Sequence, residues 1–263
     1  MTELHFERTG SGPPLVLLHG FTGSTRSWDL LVPGLAGVAE CISIDLVGHG
    51  QSPAPDRLAC YSMDACVADV VGVLDGLRLE RADVLGYSMG GRVALHLAIA
   101  APRRVRRLVL ESASPGLDDS LERAERVRAD SALADQIEAE GIAAFVERWE
   151  HQPLLALGPA VLPELRERVH SERLRNRPRG LANSLRGMGV GAPASAWDKL
   201  AAVSCPTLLL VGARDAKYRA IAKRMLSRLA SADLVVLPDA GHTAHLEQAR
   251  AFAAAVTEFL KKN

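Results

Sequence analysis

Nothing in this chain would draw it to a charged polymer. Its 31 basic residues are matched by 31 acidic ones, so no long-range field steers it to nucleic acid or an anionic membrane surface. No apolar run approaches the roughly 20 residues a spanning helix needs, and no membrane insertion is expected. No basic segment leads into an apolar run at the start, so no secretory signal is expected. Cysteine is scarce. Cys41, Cys60, Cys66 and Cys205 form no C-x-x-C pair and no metal-like spacing, and read as small buried hydrophobes in a reducing compartment. Lysine is scarcer still: only five of the 31 basic residues are lysine and the rest are arginine. That bias assigns no function, but arginine's planar fork binds carboxylates bidentately. These absences leave a soluble, globular, cytoplasmic class, and say nothing of oligomeric state.

The 263 residues are 48% apolar, enough for one sizeable core with an internal insertion. Short runs rich in Leu, Val and Ile recur at Leu15–Leu18, Cys41–Asp45, Ala82–Gly86, Arg107–Glu111, Thr207–Gly212 and Asp233–Leu237. Gly, Pro, Asp or Ser bounds each, as in strands buried on both faces. Helical patterns lie between them: one capped by Ser62 and running toward Leu77, then Met89–Ala100, which Pro102 stops, then Ala216–Leu229 and Glu247–Leu260. This alternation predicts an α/β fold with a mostly parallel sheet flanked by helices.

Between about Asp118 and Ser195 the strand-like runs vanish. The segment opens on LERAERVRADSALADQIEAE and reads as helical. No linker isolates it, so residues 118–195 are expected to form a helical cap inserted into a core built from 1–117 and 196–263, a single domain overall. Arg166–Arg186 holds seven arginines against two glutamates, which for most of them describes a solvated face.

Gly86-Tyr87-Ser88-Met89-Gly90 fits G-x-S-x-G where a predicted strand meets a predicted helix. Its glycines permit a tight turn that lifts a serine hydroxyl clear of the backbone, and the helix N-terminus favours developing negative charge. Asp215 and His242 each follow a later strand. All three fall at C-terminal strand ends, where open α/β sheets place their sites, in the order serine, acid, histidine. The expectation is that His242 takes the Ser88 proton while Asp215 fixes the imidazole tautomer. Glu111, also after a strand, is the reserve acid. A lone histidine or a lone aspartate at a strand end is usually structural, so the case rests on all three together.

His19-Gly20-Phe21 follows the first clear strand. The Phe21 and Met89 backbone N–H groups are the expected oxyanion donors. Arg92 lies one helical turn beyond Ser88 and shares its face. A surface arginine paired with an acid is the plain alternative for it. His242 and His245, with Glu247 near them, suggest a metal site, but no H-E-x-x-H is present and no second ligand cluster; neither metal nor cofactor is expected.

With these residues placed, the chain resembles the 2-succinyl-6-hydroxy-2,4-cyclohexadiene-1-carboxylate synthases of menaquinone biosynthesis, known as MenH, a branch of the α/β-hydrolase superfamily. LLHGFTGS, GHGQS ending at Ser52 and AGH are generic to the superfamily. The discriminating stretches are GYSMGGR (Gly86–Arg92), LESASPGL (Leu110–Leu117), RAER (Arg123–Arg126), RLRNRPRGLANSLRGMG (Arg173–Gly189) and GARDAKY (Gly212–Tyr218). The resemblance covers about Leu15 to Glu247. It implies substrate-binding roles for Tyr87, Arg92, Arg126, Trp149, Arg173 and Lys217, elimination of pyruvate from a tricarboxylate, and no cofactor. Val47 and Arg250 stand where prolines are usual, away from the expected site.

Three arginines and a lysine suit a trianion, because charge-assisted bidentate bonds are the strong ones. Two rivals share the fold. A carboxylesterase or carbon–carbon bond hydrolase would want an apolar pocket where the arginines stand. A ligand-sensing receptor would need no intact triad.

Overall fold

The computed structural model describes residues 2–262. Seven strands form one sheet: β1 (Phe6–Gly10), β2 (Pro14–Leu18), β3 (Glu40–Ile44), β4 (Ala82–Tyr87), β5 (Val105–Glu111), β6 (Thr207–Gly212) and β7 (Ala232–Leu237). Their order across the sheet is β1-β3-β2-β4-β5-β6-β7. All neighbours are parallel except β1, which runs antiparallel to β3 with Phe6 opposite Ile44. The six predicted strands stand, with no end moved by more than two residues. β1 was not predicted: FERTG has no apolar alternation and, as an edge strand, is half-exposed or exposed throughout.

Alternation along each strand splits the core in two. Val16, Leu18, Ile42, Ile44 and Val84 face helices α1 (Met63–Gly76), α2 (Met89–Ala100) and α6 (Ala216–Leu226) on one side. Leu15, Leu17, Cys41, Leu85 and Val109 face the other, where Trp28 and Phe252, Val256 and Phe259 of α8 (Ala249–Lys261) pack. Each fully buried leucine or valine contributes about 1.5–3 kcal/mol. Ser62 caps α1 as predicted, accepting the Ala65 N–H at 3.2 Å. The helix expected over Glu247–Leu260 is α8, starting at Ala249; a separate short helix, α7 (Ala244–Glu247), precedes it, and Gln248, with φ −134°, parts the two. The helix expected to reach Leu229 ends at Leu226.

Between β5 and β6 the chain forms α3 (Ser120–Glu150), α4 (Pro163–Leu174) and α5 (Pro178–Met188). Asp119 caps α3 by accepting the N–H groups of Leu121 and Glu122. Gly141, at φ 82°, kinks it. α4 and α5 both open on proline, whose fixed φ suits a first helical position. Ala134, Ile137, Phe145, Val146, Leu181, Ala182 and Leu185 give these helices an apolar cluster of their own, against which Phe21 and Trp149 pack. Among the described residues, no helix is long and apolar enough to cross a membrane.

Candidate active site

The C-terminal ends of β2, β4, β6 and β7 open onto one cavity of about 320 Å³, roofed by α3, α5 and the segment after α3. This lies at the low end of the roughly 300–1,000 Å³ of small-molecule sites. Ser88 enters it from a sharp turn between β4 and α2. Its φ of 52° and ψ of −107° are unusual for a residue with a Cβ, and such conformations cost about 1–3 kcal/mol. The surrounding structure holds the strain: the Ser88 N–H donates to the Glu111 carbonyl at 2.9 Å. The flanking glycines let the turn close, since a Cβ at Gly90 would lie 2.1 Å from the Leu18 carbonyl oxygen.

Ser88, His242 and Asp215 form one hydrogen-bonded chain. Ser88 Oγ lies 3.1 Å from His242 Nε2, and His242 Nδ1 lies 2.7 Å from Asp215 Oδ2. The second Asp215 oxygen accepts the Tyr218 N–H at 3.0 Å and so caps α6. One carboxylate therefore does both jobs that its position after a strand suggested. His242 and Asp215 are both buried, and Tyr218 covers the imidazole with ring centroids 4.5 Å apart. Glu111 serves a different histidine: His245 Nδ1 lies 2.8 Å from its Oε2 in a wholly buried pair. The two histidines thus diverge to separate carboxylates, and among the described residues no group of three metal-capable side chains gathers.

Phe21 and Met89 line the cavity beside Ser88. Neither backbone N–H has an acceptor among the described residues, so both are available to a negatively charged oxygen. The loop carrying Phe21 is braced by His19, whose Nδ1 donates to Gly20 O at 2.7 Å and whose Nε2 accepts the Leu46 N–H at 3.0 Å. That tautomer is neutral, in keeping with burial, which pushes the imidazole below its ordinary value.

Of the cationic residues, Arg92, Arg126 and Lys217 line the Ser88 cavity. Arg92 is 5% exposed. Its Nη2 donates to the Met188 carbonyl at 2.7 Å, while its Nε is buried without a partner among the described residues. Burial, helped by nearby Arg126 and opposed by Tyr218 and Asp130, pushes the guanidinium below its ordinary value. A cation this poorly compensated favours an anionic ligand. Lys217 has no ion pair among the described residues.

Tyr87 and Arg173 lie elsewhere. Both line a smaller adjoining cavity of about 70 Å³, and Phe21, Trp149 and Leu155 form the wall between the two. Trp149 stands edge-on to Phe21 at 5.3 Å. Tyr87 Oη lies 2.9 Å from Thr243 Oγ1, and burial pushes its phenol well above the ordinary value. Arg173 donates to Glu150 at 2.9 Å. The three arginines therefore do not share one cavity, because Glu150 on α3 draws Arg173 behind the aromatic wall. Asp130, which sequence reasoning passed over, lines the main cavity and accepts Arg126 Nε at 2.8 Å. Its spacing of four from Arg126 on one helix was the available signal.

The sheet order and the strained serine turn define the class. The family model described as the alpha/beta hydrolase fold matches residues 13–249. A Bacillus subtilis (strain 168) relative, named provisionally as a 2-succinyl-6-hydroxy-2,4-cyclohexadiene-1-carboxylate synthase, is 42% identical across 97% of this chain and 92% of its own. A Serratia proteamaculans (strain 568) protein of the same name is 32% identical across 94% and 93%. The solved structure of MenH from S. aureus superposes with a TM-score of 0.93 at 32% identity, covering 98% of each chain. The chain belongs to the α/β-hydrolase family, in its 2-succinyl-6-hydroxy-2,4-cyclohexadiene-1-carboxylate synthase branch.

Proposed function

We propose that this chain eliminates pyruvate from 2-succinyl-5-enolpyruvyl-6-hydroxy-3-cyclohexene-1-carboxylate to give 2-succinyl-6-hydroxy-2,4-cyclohexadiene-1-carboxylate in menaquinone biosynthesis. His242 takes the Ser88 proton as Ser88 Oγ removes the ring hydrogen beside the succinyl ketone. The electron pair moves onto the ketone oxygen, where the Phe21 and Met89 N–H groups stabilise the enolate. The enolate then collapses to a C2–C3 double bond while the ring's C3–C4 double bond shifts to C4–C5, the carbon that bears the enolpyruvyl group. The bond to the enolpyruvyl oxygen breaks, and the departing enolate takes a proton to become pyruvate. Asp215 holds the imidazole in the tautomer this relay needs.

The observation that carries the reading is Arg92: a buried, under-partnered guanidinium one turn from Ser88, in the same cavity as Arg126 and Lys217. A neutral ester offers such a group no compensating charge, whereas a carboxylate supplies what it lacks. Arg173 and Tyr87 would serve a carboxylate beyond the Phe21–Trp149 wall. Residues 118–195 act as the cap that covers the substrate. The substrate is thus a small tricarboxylate, with no nucleic-acid partner. The four cysteines are unpaired, as suits a reducing compartment, and we assign the enzyme to the cytoplasm.

The test is incubation with the enolpyruvyl intermediate while pyruvate release is followed. Stoichiometric pyruvate and diene support the assignment. No release, alongside rapid turnover of neutral esters, would return the chain to the esterases.

A further inference from the structure

One buried carboxylate touches three parts of the molecule that a catalytic cycle would have to keep in step. Glu247 closes α7, and its side chain is 3% exposed. Its Oε1 accepts the N–H of Gly241, the residue before His242, at 3.0 Å. Its Oε2 accepts the N–H of Gly158 at 3.1 Å and pairs with Arg214, the residue before Asp215. Gly158 belongs to the stretch between α3 and α4. A few residues upstream, Leu154 and Leu155 line the Ser88 cavity.

The surroundings make this a junction rather than a chance contact. The Arg214 N–H donates to the Ala240 carbonyl at 2.8 Å, so the loops that carry Asp215 and His242 are joined by backbone as well. On the cap side, Arg166 clamps the same turn, donating to the Leu157 carbonyl at 3.1 Å, the Val161 carbonyl at 3.2 Å and the Gly158 carbonyl. A larger residue at Gly158 would have to push aside the side-chain ends that meet there. A Cβ at Gly158 would lie 2.0 Å from Arg214 Nη2 and 2.6 Å from Glu247 Oε2.

The geometry points to Glu247 as a positioning residue that couples the turn at Gly158 to the alignment of His242 with Ser88. Neither oxygen faces the cavity, so Glu247 contributes no binding charge. Its two oxygens hold the triad loops and, at once, the Gly158 turn that follows the cavity-lining Leu155. Displacing the wall costs Glu247 a donor and loosens the hold on Gly241, and a seated ligand that settles the wall tightens it. The inference rests on the Ser88–His242–Asp215 reading but not on the identity of the substrate.

The substitutions are Glu247→Gln, Gly158→Ala and the pair together, in the full-length protein. Glutamine keeps one acceptor oxygen and turns an amide N–H₂ toward the other donors. The readout is the rate at which a fluorophosphonate labels Ser88, normalised to folded protein by circular dichroism, with the downfield Nδ1 proton of His242 as a spectroscopic signature. Displacing reacting groups by about 1 Å costs on the order of 100-fold, so labelling should fall at least about 10-fold in each single variant and the downfield proton should broaden. Because both variants open the same junction, the double variant should label no more than about 2-fold slower than the worse single one. Folded Glu247→Gln labelling at the wild-type rate, or a double variant that multiplies the single losses, overturns the coupling. If Glu247→Gln does not fold, Gly158→Ala and hydrogen exchange at 241–243 decide in the same way. Labelling that persists in Ser88→Ala would instead refute the triad reading itself.

Discussion

Arg126 donates only its Nε–H to Asp130, at 2.8 Å, and its two Nη groups make no bond to the described residues. Asp130 is buried and its second oxygen has no partner among the described residues. An acid thus stands in the same cavity as Arg92, Arg126 and Lys217, orienting one arginine while offsetting part of its charge. We expect Arg92→Ala to cost about 2–5 kcal/mol in kcat/KM, as for a desolvated charge partner. Arg126, whose side chain is 39% exposed, should cost nearer about 1 kcal/mol because solvent screens it. Asp130→Asn keeps an acceptor for Nε but removes the like charge, so KM for the anionic substrate should fall. Steady-state pyruvate release measures all three, and a raised KM in Asp130→Asn would mean that orientation outweighs charge.

Removing a member of the hydrogen-bonded chain should stop the reaction without unfolding the protein. Ser88→Ala, His242→Ala and Asp215→Asn are each expected to lower turnover by about 10²–10⁴-fold or more, with unchanged far-ultraviolet circular dichroism. Ser88→Ala should also melt no lower than the wild type, because alanine leaves the strained turn and its glycine contacts as they are. Near-native turnover in a folded Ser88→Ala preparation would end the mechanism.

The strand ends and the serine turn were legible because local rules set them: apolar runs bounded by breakers, and G-x-S-x-G between a strand and a helix. The Ser88, Asp215 and His242 positions followed from that frame. What the sequence hid depends on tertiary choice. β1 carries no apolar alternation because its partner β3 and its edge position, not its own burial, make it a strand. Arg173 matched a family motif, yet which cavity it faces is decided by Glu150, 23 residues away. Glu111, read as a reserve acid, is fixed by His245, a pairing across 134 residues that no spacing announces.

Two buried histidines give the fold an acid limit. Burial, reinforced by neighbouring His19, pushes His49 from its ordinary 6.5 to about 3, and His19 is lowered as well. A lowered folded-state value means the unfolded chain binds more protons below pH 6.5. The His49 contribution is therefore fully present above about 6.5 and is lost as pH falls from there toward 3, with a slope of up to about 1.4 kcal/mol per pH unit, and His19 acts in the same direction. Urea midpoints between pH 7 and 4.5 should show this decline. His49→Asn should flatten it, and an unchanged slope would shift the cause to other groups.

A trianion must enter past α3–α5 and then be shielded, since water in the cleft weakens every charge interaction there. Hydrogen exchange across 118–195 is therefore expected to slow when a substrate-like tricarboxylate binds, most of all around the turn at Gly158. Identical exchange with and without ligand would describe a rigid, preformed site.

The chain carries a hydrolase's serine chain, yet we expect it not to hydrolyse its substrate and to form no covalent Ser88 intermediate with it. Hydrolysis requires Ser88 to attack a carbonyl carbon, and then a water beside His242 to release the acyl group. Elimination requires only proton removal, a place for the enolate charge and room for a carboxylate-bearing leaving group. Cations in the cavity can hold the substrate by its carboxylates so that the acidic hydrogen, not the ketone carbon, meets Ser88 Oγ. A serine is a weak base for a carbon acid, so the Phe21 and Met89 donors must lower the enolate by several kcal/mol, about what such holes supply. Turnover in oxygen-18 water, with mass spectrometry of products and protein, separates the cases. Elimination gives pyruvate and the diene with no solvent oxygen from the chemical step, once carbonyl exchange is corrected. An acyl adduct trapped on Ser88, or succinate released in proportion to turnover, would show that the serine attacks carbon after all.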